Sequence, residues 1–124
     1  MKNGKHVILC VDDDNDILET LQVVLEANNY SVVTAGTAEA GFKTWQAQQP
    51  DLVIVDLMME EVDAGTSLVM RLKAQGNTAP VFLLSSVGDQ LSRNIDYNQL
   101  GLAGVFQKPI EPTALLGTLK RHLK

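Results

Sequence analysis

The chain has 124 residues, 45% of them apolar and 20% charged, with 15 acidic against 10 basic side chains and a formal charge of −5. That length predicts a single domain over residues 1–124, and the apolar share supplies a core and excludes a disordered chain. Net negative charge with no run of Lys or Arg disfavours nucleic acid and anionic membrane as partners, which leaves a protein or a cation.

Cys10 is the single cysteine, so no intramolecular disulfide is expected, and no His/Cys cluster has zinc spacing. The polar N-terminus leads into an apolar stretch too short for a signal core or a membrane span, and a cytoplasmic location is expected.

In chain order, Val7 to Val11 is an apolar run rich in β-branched residues and predicts a strand buried on both faces, because it does not alternate. Ile17, Leu18, Leu21, Val24 and Leu25 then share one helical face. A second strand is expected over Ser31 to Ala35, followed by a helix with Thr37 as N-cap that buries Phe42 and Trp45. Leu52 to Val55 reads as a third, fully buried strand, and Leu68, Val69 and Leu72 mark a helix that stops at Gly76. Val81 to Leu84 is a fourth strand, also fully buried. A weakly periodic helix is expected roughly over Asp89 to Asn98, where Val87, Leu91 and Ile95 alone are apolar, as a shallowly buried and mobile element. Gly104 to Gln107 forms the fifth strand. The last helix starts near Glu111, carries Leu115, Leu116, Leu119 and Leu123, and ends with Lys120, Arg121 and Lys124, where cations suit the dipole.

Strict alternation of strands and helices implies an α/β fold: a parallel sheet with helices on both faces and ligands bound at the carboxyl ends of the strands. Asp12, Asp13 and Asp14 follow the first strand, Asp56 the third, Ser85 and Ser86 end the fourth, and Lys108-Pro109 follows the fifth. Carboxylates this crowded repel unless a cation neutralises them, and hard oxygen ligands favour Mg²⁺. A carboxylate, a hard divalent ion, a hydroxyl and an ammonium together suit phosphoryl transfer. Asp56, alone at the end of a buried strand, is the expected nucleophile. The adjacent pair Asp12 and Asp13 reads as metal holders, Ser85 as a hydroxyl that bonds a phosphoryl oxygen, and Lys108 as the counter-charge of Asp56.

On these residues the sequence resembles the receiver domains of two-component response regulators, over about Lys5 to Leu123. The carriers are Val11-Asp12-Asp13-Asp14, Pro50 through Met59, Pro80 through Ser85, and Gly101 through Lys108-Pro109. The resemblance implies a flavodoxin-like (βα)5 three-layer sandwich with strand order 2-1-3-4-5. It further implies Mg²⁺ on Asp12, Asp13, Asp56 and the Met58 carbonyl, phosphorylation at Asp56, Ser85 as switch hydroxyl, and a cis Lys108–Pro109 bond. The implied partners are a histidine kinase or phosphotransfer protein and a downstream protein, reached through the face of Ser85, the 89–98 helix and the fifth strand. Such a module is not an enzyme in its own right, catalysing only its own phosphorylation and dephosphorylation.

The chain departs from the family pattern in three places. Glu60 stands where the family has Pro, Asp63-Ala64-Gly65 replaces Asp-Gly, which suggests a looser loop, and Val105 stands where Tyr or Phe is common, putting the aromatic readout in doubt. Met58 and Val87 flank the expected path of the hydrolytic water and cannot orient it, so the acyl phosphate is expected to be long-lived.

Other readings stay open. Asp12-x-Asp14 also suits a haloacid-dehalogenase-like phosphatase with Asp12 as nucleophile. A flavin carrier on the same fold is opposed by the three aspartates. A pseudo-receiver that binds partners without phosphorylation is kept alive by Glu60 and Val105. By default Asp14 or Asn15 is an N-cap, Cys10 a small core residue, His6 and His122 solvated, and Tyr97 an exposed residue of the 89–98 helix.

Overall fold

In the computed structural model, which describes residues 4–57, 64–86 and 101–123, nine elements follow one another. They are β1 (Val7–Val11), α1 (Asn15–Ala27), β2 (Ser31–Ala35), α2 (Ala38–Gln48), β3 (Leu52–Asp56), α3 (Ala64–Ala74), β4 (Val81–Ser86), β5 (Gly104–Lys108) and α4 (Pro112–His122). The expected 89–98 helix lies outside the described residues, as do Met58, Glu60, Asp63, Val87 and Tyr97.

All strand pairs are parallel, and the sheet order is β2-β1-β3-β4-β5. The alternation of side chains along each strand divides the core into two layers. Leu9, Val11, Val53, Val55, Val81 and Leu83 face one way and pack with Phe42 of α2 and Leu68, Val69 and Leu72 of α3. Ile8, Cys10, Leu52, Ile54, Phe82 and Leu84 face the other way and pack with Leu18, Leu21 and Leu25 of α1 and Leu115 and Leu119 of α4. A strand covered on both sides has no polar face to alternate with, which is why β1 and β3 are buried at every residue.

The helix ends obey local chemistry. Asp14 is the N-cap of α1, its carboxylate accepting the Asp16 N–H at 2.9 Å. Thr37 caps α2 through Ala40 N–H at 3.0 Å, and Glu111 caps α4 through Thr113 and Ala114 N–H. Gly76 takes φ +90 after α3, and the next amide, of Asn77, returns to the Leu72 carbonyl at 3.0 Å, a left-handed stop that suits glycine.

Two side chains differ from expectation. Trp45 is half-buried rather than core, because its indole Nε1 donates to Asn77 Oδ1 at 3.0 Å and so keeps to the edge of the α2–α3 layer. His6 is half-buried rather than solvated: its Nδ1 is buried 3.9 Å from Asp51 Oδ2, because β1 and β3 start side by side. His122 is exposed as expected, with its ring edge-on to Phe82 at 5.1 Å. Among the described residues no helix is long and apolar enough to cross a membrane.

Candidate functional site

The chain passes from β1 outward to β2 on one side and back to β3 on the other, so strand order reverses between β1 and β3. The helices leave to opposite faces there, opening a crevice at the carboxyl ends. Register places the chemistry in that crevice. Val11 pairs with Val55, which brings Asp12 level with Asp56, the last residue of β3. Asp56 lies opposite Leu84, and Ser86 opposite Lys108, so Ser85 and Lys108 reach the same rim.

Asp12, Asp56 and Ser85 are the buried polar side chains among the described residues, at 0%, 5% and 1% exposure. Lys108 Nζ lies 3.1 Å from Asp56 Oδ1 and 3.2 Å from Asp12 Oδ2. Asp12 Oδ1 accepts the Asp14 N–H at 2.9 Å, so the main chain of the first loop turns back to hold that carboxylate. Burial pushes the Asp56 carboxyl up to about 6 and the charge of Asp12 adds to the rise, while the contact with Lys108 opposes it. For Lys108, burial is the largest influence and favours the neutral amine, but the contacts with Asp56 and the charge of Asp12 outweigh it and raise the pKa. The Lys108–Pro109 bond is cis.

Asp12, Asp13 and Asp56 each present an oxygen within 4.8 Å of the others. Asp12 Oδ2 is buried and, despite the nearby ammonium, makes no hydrogen bond among the described residues. A buried carboxylate oxygen met only by an ion-pair contact, beside two further carboxylates, suits a hard, oxygen-seeking cation, and Asp13, exposed at the mouth, leaves solvent access for one. The donor set fits Mg²⁺. The fourth expected ligand, the Met58 carbonyl, lies outside the described residues.

Sequence reasoning missed one neighbour of this rim. A Cβ built on Gly65, in the first turn of α3, would overlap the carbonyl oxygens of Asp56 and Leu57. The start of α3 is therefore seated tightly on the end of β3, while the loop before it, residues 58–63, lies outside the described residues. The signal in the sequence is the glycine of Asp63-Ala64-Gly65, a poor helix former just before the apolar positions of that helix.

On the expected aromatic position, Val105 faces the α2–α3 layer, half-buried. Phe106 faces the opposite layer, stacked on Phe82 at 4.9 Å between ring centroids. It does not stand in for the missing ring.

A doubly wound parallel sheet with an acidic rim at its switch point and a lysine reaching across it defines a narrow class of α/β proteins. The family model described as the response regulator receiver domain matches residues 8–120, and the chain belongs to that family. It is 29% identical over 117 residues to the alkaline phosphatase synthesis transcriptional regulatory protein PhoP of Bacillus subtilis, covering 94% of this chain and 48% of that protein. It is 33% identical over 108 residues to the transcriptional regulatory protein GlrR of Escherichia coli, covering 87% of this chain and 24% of that one. The chain thus spans about half or less of the length of the curated relatives it matches. Among solved structures, the chemotaxis protein CheY4 of Vibrio cholerae superposes with a TM-score of 0.83 at 27% identity, over 97% of this chain and all (100%) of that one.

Proposed function

We propose that this receiver domain is a phosphoacceptor switch in which Asp56 takes a phosphoryl group from a histidine kinase or phosphotransfer protein. The observation that carries this reading is the position of Lys108 Nζ, 3.1 Å from Asp56 Oδ1 and 3.2 Å from Asp12 Oδ2, at the carboxyl end of a fully buried strand.

In the transfer, an Asp56 oxygen bonds to phosphorus as the bond to the donor nitrogen breaks, and the donor keeps the electron pair. Burial holds the Asp56 carboxylate on a short tether at the strand end, where the attacking atom has little freedom to lose. The Lys108 ammonium stays over the rim and balances the charge that arrives with the phosphoryl oxygens. Ser85, buried at the same rim, supplies a hydroxyl to one of those oxygens, which ties β4 to the phosphorylation state. Asp12, Asp13 and Asp56 would hold Mg²⁺, with the Met58 carbonyl as an expected fourth ligand. When bound, that ion supplies positive charge that neutralises the crowded carboxylates and the transferring group.

Asp12 is less suited than Asp56 to be a nucleophile, since it is wholly buried and one of its oxygens is engaged by the Asp14 amide. A downstream protein would read the change through the Ser85 and β5 face, and the module would catalyse only its own phosphorylation and dephosphorylation. Labelling with acetyl phosphate in Mg²⁺ tests the reading. Labelling is expected in the wild type, lost in Asp56→Asn and slowed in Asp12→Asn. Labelling that survives in Asp56→Asn and vanishes only in Asp12→Asn would transfer the nucleophile to Asp12. A wild type that neither takes up phosphate nor shifts its spectrum with beryllofluoride would make it a pseudo-receiver.

A further inference from the structure

Gly65 is the second residue of α3 and is buried. A Cβ there would overlap main-chain atoms, the carbonyl oxygens of Asp56 and Leu57. Two other tight glycines among the described residues have side chains as their nearest neighbours: Val11 and Leu68 at Gly41, and the Phe82 ring, 3.0 Å away, at Gly104. Side chains can turn aside, whereas a carbonyl in a sheet moves only with its strand. Leu57 N–H donates to Leu84 O at 2.9 Å, so that strand end is tied to β4. The helix in turn is packed on the same face of the sheet through Leu68, Val69 and Leu72, all buried. Relief of the overlap therefore requires one of these main-chain segments to move. Glycine weakens a helix, so the stability of α3 alone gives no reason for it here.

We infer that Gly65 is a positioning residue: its bare Cα lets the first turn of α3 seat on the Asp56–Leu57 main chain, and that seat sets where Asp56 presents its carboxylate to Lys108 and to the metal-binding oxygens. The consequence for phosphorylation rests on the proposed function, whereas the placement of Asp56 against Lys108 does not. An added methyl displaces the end of β3 or lifts α3, and in either case the carboxylate moves while every charged group of the rim is retained.

The test compares wild type, Gly65→Ala and Gly104→Ala in three measurements: the ¹⁵N signal of the Lys108 ammonium in metal-free protein, Mg²⁺ affinity, and the rate of labelling by acetyl phosphate. Gly65→Ala is expected to lose the exchange-protected Lys108 signal, to bind Mg²⁺ about 10- to 100-fold more weakly, as outer-shell changes do, and to label more slowly. Gly104→Ala overpacks the opposite end of β5 and is expected to lose stability while keeping all three properties. An unchanged Lys108 signal and Mg²⁺ affinity in Gly65→Ala would overturn the assignment. If the wild type neither binds Mg²⁺ nor labels, the proposed function fails and the Lys108 signal alone decides: its loss in Gly65→Ala supports the positioning role and its persistence refutes it. Should Gly65→Ala not fold, Leu68→Ala, which loosens α3 one turn away, is compared with Leu21→Ala on α1. A Lys108 signal weakened only in Leu68→Ala supports the seat, and equal behaviour of the two variants refutes it.

Discussion

Lys108 Nζ is as close to Asp12 as to Asp56, at 3.2 and 3.1 Å, so one ammonium serves two buried carboxylates from separate strands. Breaking a buried pair costs more than the pair contributes, because the surviving charge is left unpaired. The side chain of Lys108 retains 18% exposure, which moderates the cost. Lys108→Ala is expected to destabilise the metal-free protein by about 1–3 kcal/mol and to recover much of that loss in Mg²⁺. Urea denaturation with and without EDTA measures both.

The raised pKa of Asp56, about 6 against about 3.9 for an unfolded aspartate, fixes the sign of a pH effect. Between those values the folded chain holds a proton that the unfolded chain has released, so this group favours folding most below pH of about 4 and progressively less as pH rises to about 6. Mg²⁺ needs the ionised carboxylate, so its affinity is expected to climb with pH through the same interval and then level off. Mg²⁺ titrations at several pH values check the second trend, and metal-free denaturation of wild type against Asp56→Asn isolates the first.

Asp51 titrates with the opposite sign. Burial raises its pKa, yet the 2.7 Å bond from Val7 N–H and the nearby His6 are among the influences that leave it lowered. Its contribution is complete above the unfolded value and is lost as pH falls through the lower folded one. Asp51→Asn is therefore expected to destabilise the protein at pH 7 and to converge with wild type in acid, as followed by thermal unfolding.

Asn77 closes the turn after α3 with three bonds: its Oδ1 accepts from Trp45 Nε1 at 3.0 Å and Ala79 N at 3.2 Å, and its Nδ2 donates to Ala79 O at 3.0 Å. Asn77→Ala removes all three and is expected to cost about 2 kcal/mol. Trp45 is the single tryptophan, so a change in its emission would report the lost partner directly.

Cys10 has no exposed surface, and burial lifts its thiol to about 12. It is expected to resist alkylation in the native state and to react at the rate of global opening, which pulsed labelling under mild urea would show.

The two-layer sheet was readable because strands covered on both faces must be apolar throughout, and Val7–Val11 and Leu52–Val55 satisfy that within the run itself. Helix starts at Asp14, Thr37 and Glu111 were equally local, each cap lying within three residues of its donor. The rim followed from topology, since carboxyl ends of parallel strands share one edge. The missed features depend on tertiary placement rather than on local sequence. Trp45 meets Asn77 across 32 residues, and His6 meets Asp51 only once β1 and β3 are in register. The contact at Gly65 depends on how closely a helix lies to a strand end, a distance that neither period nor composition encodes.

Asp14 gives its amide to Asp12 and its carboxylate to the first turn of α1. The acidic rim and the first helix consequently share a rivet: one side chain and its own peptide group clamp both. A displacement of Asp12, if Mg²⁺ binding causes one as the proposed function requires, is expected to reach the first turn of α1 through these two bonds. The amide of Asp16, in the first turn of the helix, would then report on the state of the rim from outside it, readable by hydrogen exchange without touching the site.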